Sequence, residues 1–115
     1  MADDPRAWRI ETYQTAGGER PVAQFFDALT GRNQEEARAL LAALREFGNQ
    51  LRSPRSKPVR EGVFELRGHQ VRLFYTFLRG RRIVLLDGII KKQDEIPPDV
   101  VKRVVRMKRG LDQRD

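Results

Sequence analysis

The side chains whose types and spacing best suit chemistry lie in one stretch, residues 59–92, VREGVFELRGHQVRLFYTFLRGRRIVLLDGIIKK. Glu65 and Arg67 precede a short turn that holds His69, Arg72 follows it, and Lys91-Lys92 end the stretch. Arginine stays protonated, so Arg67 and Arg72 can hold an anion or stabilise developing charge but cannot carry a proton. Lys91 or Lys92 could carry one, since neighbouring like charge disfavours an ammonium. Glu65 is a second candidate base, and a cross-strand ion pair with Arg72 is the competing use of its carboxylate. His69 is the usual type of proton shuttle near neutral pH, although a polar residue in a turn needs no such reason. Cations in this spacing suit a phosphate. A plain solvated face would use the same residues.

Three antiparallel strands would position these groups: FELR, QVRLFYTF and RRIVLLDG. Gly68-His69 is read as a two-residue type II′ turn, with Gly taking a positive φ. A second turn falls near Arg79-Gly80. The first turn sets Glu65 opposite Arg72 and Phe64 opposite Leu73. Alternation then puts Phe64, Leu66, Val71, Leu73, Tyr75 and Phe77 on one face. Glu65, Arg67, Gln70, Arg72, Phe74 and Thr76 fall on the other, away from the apolar set. Asp87, at the end of the third strand, could orient a lysine or simply face water.

Upstream, Trp8 and Ile10 alternate with polar residues and suggest a strand that joins the sheet. Pro21 opens a helix carrying Val22, Phe25, Phe26 and Leu29, which Gly31 stops. Asn33 with Glu36 three residues on resembles a capping box for a second helix. Its stripe is Ala37, Leu40, Leu41, Leu44 and Phe47, and Gly48 ends it. Residues 49–62, NQLRSPRSKPVREG, read as a basic connector, with Arg52, Arg55, Lys57 and Arg60 placed to meet phosphates. Pro97-Pro98 start a last helix that runs to about Gly110, with Val100, Val101, Val104 and Val105 inward and Lys102, Arg103, Arg106 and Arg109 outward. Residues 1–6 and 111–115 are expected to be disordered. The order strand, helix, helix, three-stranded meander, helix is an α+β domain with two N-terminal helices packed on one face of an antiparallel sheet.

At 115 residues the chain suits one domain, spanning 1–115. Lys and Arg number 23 against 16 Asp and Glu, a net charge of +7 that points to a polyanionic or acidic partner. The absence of cysteine excludes disulfides, Cys–zinc sites and thiol catalysis. The single histidine, His69, argues against a His-based metal site or a Ser-His-Asp triad. No apolar run approaches the ~18 residues of a membrane span. The N-terminal MADDPRAW lacks the apolar core of a signal peptide, so a soluble cytoplasmic protein is expected.

The segments PVAQFFDAL, VFELRGHQVRLFYTF and IVLLDGIIKKQDEIPPDVV, in this order, resemble the RelE/ParE toxin superfamily, above all its phage-derived, HigB-like branch. The resemblance covers about residues 8–107. It implies a RelE-like fold and the toxin of a type II toxin–antitoxin pair. It implies as partners a cognate antitoxin, small and of helix-turn-helix type, and mRNA on the ribosome, with no cofactor and no metal. The activity implied is that of a ribosome-dependent mRNA endoribonuclease. A ParE-like gyrase inhibitor and a non-toxic nucleic-acid-binding module are the alternatives. Carried over by motif, Arg72 of VRLFY matches the family's phosphate-stabilising arginine. Arg67 of ELR and Lys91 or Lys92 of IIKK match further basic catalytic positions. Arg52, Arg55, Lys57, Arg60 and His69 are then the RNA-binding candidates. Metal-free cleavage uses the ribose 2′-OH against its own phosphate. It needs a base, charge stabilisation on the phosphorane and an acid for the leaving 5′-oxygen.

Overall fold

The computed structural model describes residues 7–114. Strand β1 (Arg9–Thr12) is followed by helices α1 (Pro21–Ala28) and α2 (Gly31–Phe47) and a short 3-10 turn (Gly48–Gln50). Strands β2 (Ser56–Arg60), β3 (Val63–Arg67), β4 (Val71–Leu78) and β5 (Arg82–Ile90) follow, then helix α3 (Pro98–Arg114). The sheet order is β1-β5-β4-β3-β2. Strand β1 lies parallel to β5, with Arg9 beside Arg82, and every other pairing is antiparallel.

The α+β class holds, and the meander has one strand more than the sequence suggests. Part of the basic connector is the edge strand β2, whose Lys57 pairs with Glu65 and Pro58 with Phe64. Pro58 has no N–H to donate, and a register shift between Pro58 and Arg60 breaks the pairing further. Both features are tolerated at an edge and discourage another chain from adding to it.

The two faces of the sheet are both covered. Trp8, Val22, Leu40, Leu44, Leu66, Leu73, Tyr75, Ile83 and Leu85 form one core under α1 and α2. Val63, Phe74, Val84 and Leu86 form a second core with Val100, Val104, Val105 and Leu111 of α3. The face expected to point away from the apolar set is therefore buried. Phe74 has no exposed surface, and α3 lies over it because its valines need a partner.

Three local expectations are corrected. Helix α2 starts at Gly31 with Thr30 in the cap position and no side-chain cap bond, so Asn33 lies inside the helix and the Glu36 carboxylate is free for other work. Helix α3 continues past Gly110 to Arg114, because Leu111 is buried in the second core and the Arg114 guanidinium lies 5.2 Å from the Tyr13 ring centre. The expected disorder of 111–114 is thus replaced by helix, while that of residues 1–6 and of residue 115 lies outside the described residues. The β3–β4 turn is also longer than two residues. Arg67 pairs with Arg72 and Phe64 with Tyr75, so the register moves by two. A shift of two preserves the faces and changes every cross-strand neighbour.

Candidate functional site

Glu65, Arg67 and Arg72 stand together on the α3 side of β3 and β4. Arg67 and Arg72 are direct cross-strand neighbours, and the direct partner of Glu65 is Phe74. Glu65 still bridges the two arginines. Its Oε1 is 3.5 Å from Arg67 Nε and its Oε2 3.6 Å from Arg72 Nε. Arg72 is only 4% exposed and Glu65 6%. The Arg72 Nη1 donates to the carbonyl of Gly68 in the β3–β4 turn and to that of Val71, the first residue of β4. Arg67 Nε is buried and makes no hydrogen bond. An arginine read as solvent-facing is therefore built into the sheet, with one edge turned toward a cleft.

That cleft, about 550 Å³, is lined by Arg72 and Glu65, by Gly88–Lys91 at the end of β5, by Lys92, and by the segment leading into α3. Val100 and Phe25 complete its walls. Gly88 is required here, because a Cβ on it would lie 2.5 Å from the Phe25 ring. Lys91 and Lys92 share the cleft with Arg72 because the backbone joins them: Lys91 N donates to the Gln70 carbonyl of the β3–β4 turn at 2.7 Å. Lys91 Nζ contacts a carboxylate, Asp94 Oδ1 at 2.9 Å. The hydrogen bond and charge of Lys91 hold the Asp94 carboxyl below the ordinary carboxylate range. Lys92 is exposed and makes no ion pair among the described residues. Asp87 orients no lysine. It accepts from its neighbour Gly88 N and from Arg103 Nε, both at 2.8 Å, and so ties α3 to β5.

The remaining candidates are spread out. Arg55 lies at the cleft end of the sheet, its carbonyl accepting from Arg67 N at 2.7 Å. Lys57, opposite Glu65, is on the same side of the sheet. Exposed His69 sits in the turn beside Gln70. Arg60 is at the far end of β2, in a shallow depression with Glu61, Lys102 and Arg106. Arg52 lies on the opposite side, in a groove with Phe64, Tyr75 and Phe77, and donates to the Asn49 and Leu51 carbonyls. Tyr75 is in the α1/α2 core with its hydroxyl 2.6 Å from Ser56 Oγ, and burial raises its pKa.

Sequence reasoning missed Phe25, Asp94 and Glu36. Phe25 read as core. Asp94 sits in a polar run with no periodicity. Glu36 read as a helix cap, yet its Oε1 accepts from the backbone N–H groups of Gln70 and Val71, at 2.8 and 2.6 Å.

Residues 24–109 match the profile of a family described as phage derived protein Gp49-like. No curated protein matches the chain. Among solved structures, the toxin–antitoxin complex RelBE2 from Mycobacterium tuberculosis is similar at 21% identity and a TM-score of 0.48, over 74% of this chain and 99% of that one. Among the described residues no helix is long and apolar enough to cross a membrane, and no group of three or more His, Cys, Asp or Glu could hold a metal ion.

Proposed function

The chain belongs to the phage-derived Gp49-like family, and from that premise we propose that it is the toxin of a type II toxin–antitoxin pair that cuts mRNA on the ribosome. The observation that carries this reading is the gathering of Arg72, Lys91 and Lys92 around one cleft with Glu65 among them. The cleft would take an RNA phosphate. Arg72, fixed by two carbonyls and Glu65, offers charge stabilisation that needs no rearrangement as the phosphorane forms. Lys92, exposed at the rim, is the group freest to move a proton. The ribosome would order the mRNA, and such alignment can supply ~7–11 kcal/mol of barrier reduction. Arg67, Arg55, Lys57 and His69 extend the basic surface from the cleft end of the sheet. Arg52 and Arg60 stand apart and would meet only a larger RNA surface. The expected partners are a cognate antitoxin, small and of helix-turn-helix type, and mRNA in the cytoplasm.

One observation favours a second reading, a ParE-like inhibitor of gyrase that acts by binding alone. Arg72 and Lys91 are already engaged by Glu65 and Asp94. Primer extension on translated transcripts after expression of the chain separates the two. Cuts inside translated codons support the nuclease. Intact transcripts with accumulated gyrase-cleaved DNA support the gyrase reading.

A further inference from the structure

We infer that Glu36, on helix α2 and outside the cleft, is a positioning residue for Arg72 and Lys91. The inference rests on the cleft being the working site. Glu36 Oε1 accepts from Gln70 N at 2.8 Å and from Val71 N at 2.6 Å. Its carboxylate also lies flat against Gly68, where a Cβ would come within 2.3 Å of Oε1. The turn 68–71 is therefore clamped from the α2 side. The 70–71 peptide unit and its neighbours hold the cleft from the other side. Gly68 O and Val71 O accept from Arg72 Nη1, and Gln70 O accepts from Lys91 N. Each link is one hydrogen bond long, so the placement of both cations depends on where Glu36 puts the turn. This explains the glycine at 68. Its φ is not positive, so no turn type demands it, and close approach of a side chain does.

The chemistry suits a carboxylate. An ionised acceptor makes shorter and stronger bonds to N–H groups than a neutral one. With the acceptor gone, two backbone donors lose their partner and the turn can move. A misplacement of ~1 Å at a reacting group can cost ~100-fold in rate.

The test compares Glu36→Ala, Glu36→Gln and Val104→Ala in the full chain. Val104→Ala opens a cavity in the second core and supplies destabilisation without touching the turn. The first readout is amide hydrogen exchange at Lys91 and Gly68, whose N–H groups bond within this network. It needs no RNA, and it decides the positioning claim even where the chain cleaves nothing. The second is multiple-turnover cleavage on programmed ribosomes, which gives kcat and KM. Relative to Val104→Ala at matched thermal stability, Glu36→Ala is expected to speed exchange at both amides about tenfold or more. It should also lower kcat ~10- to 100-fold with KM little changed. Glu36→Gln, which keeps an oxygen acceptor, should restore most of both. Exchange and kcat in Glu36→Ala equal to those in Val104→Ala would overturn the inference and leave Glu36 a stability residue.

Discussion

The two faces of the sheet are built differently. Under α1 and α2 the contacts are aromatic and aliphatic: Trp8 and Phe77 lie 5.3 Å apart, and Phe64 and Tyr75 5.6 Å. Among the described residues, the Ser56–Tyr75 bond is the buried side-chain hydrogen bond of that side. Under α3 the sheet contributes Val63, Phe74, Val84 and Leu86, and Glu65, Arg72, Thr76 and Asp87 are buried among them. Thr76 donates to Gly62 O and Asp87 accepts from Arg103. A face rich in large apolar groups gains stability from area removed from water. A face with embedded charges gives some of that up, because each charge must be desolvated and paired. The charges collect toward the end of the sheet where the cleft opens. One side of the sheet thus supports the fold while the other holds the charged groups of the proposed site.

Leu44→Ala should have the largest effect on stability, a loss of about 2–5 kcal/mol, because the side chain is fully buried in the first core. A denaturant titration measures it, and the folded fraction should retain whatever cleavage the wild-type chain shows. Arg72→Ala should follow at about 1–3 kcal/mol, as Glu65 and two carbonyls lose a charged partner. A larger loss from Arg72→Ala than from Leu44→Ala would break the division between the faces. Ser56→Ala should cost about 1 kcal/mol by leaving the buried Tyr75 hydroxyl without its partner.

The ionisation of Tyr75 sharpens the same contrast. Its folded pKa lies above the unfolded value because burial disfavours the phenolate. That contribution is complete below the unfolded value and is lost as pH rises through the folded one, so alkaline melts should show falling stability. Tyr75→Phe should flatten the decline. The smallest effect belongs to Glu11, whose carboxyl is held below its ordinary range mainly by the hydrogen bond from Arg82. Its contribution is complete above the ordinary carboxylate value and is lost as pH falls through the lowered one. The pair is well exposed, so Glu11→Gln should cost under about 1 kcal/mol in acid and neutral melts compared together.

Alternation made the faces legible before the structure, and a register shift of two left them unchanged. It could not show that both faces are covered, since Arg67 and Arg72 gave the α3 side the character of a solvated surface. The contrary signal was Ile83-Val84-Leu85-Leu86, a continuous apolar run of the kind a doubly covered strand shows. Pro58 and its basic neighbours hid β2, because an edge strand needs no strand-like composition on its open side. Of the cleft, Arg72, Lys91 and Lys92 were legible as residue types near strand ends. Their convergence depends on the Gln70–Lys91 and Glu36–turn bonds. Those are contacts across the sheet end and between helix and turn, which periodicity does not encode.

The central claim is that the cations of the cleft act on RNA. The direct measurement is single-turnover mRNA cleavage on programmed ribosomes by the wild-type chain and by the Lys91→Ala/Lys92→Ala double variant, each with a thermal melt. Both lysines lie at the surface end of β5, so the melt should move by no more than about 0.5 kcal/mol. Cleavage by the wild-type chain, with a loss of about 100-fold or more in the double variant, is the predicted result. A well-folded double variant that cuts as fast as the wild type would contradict it.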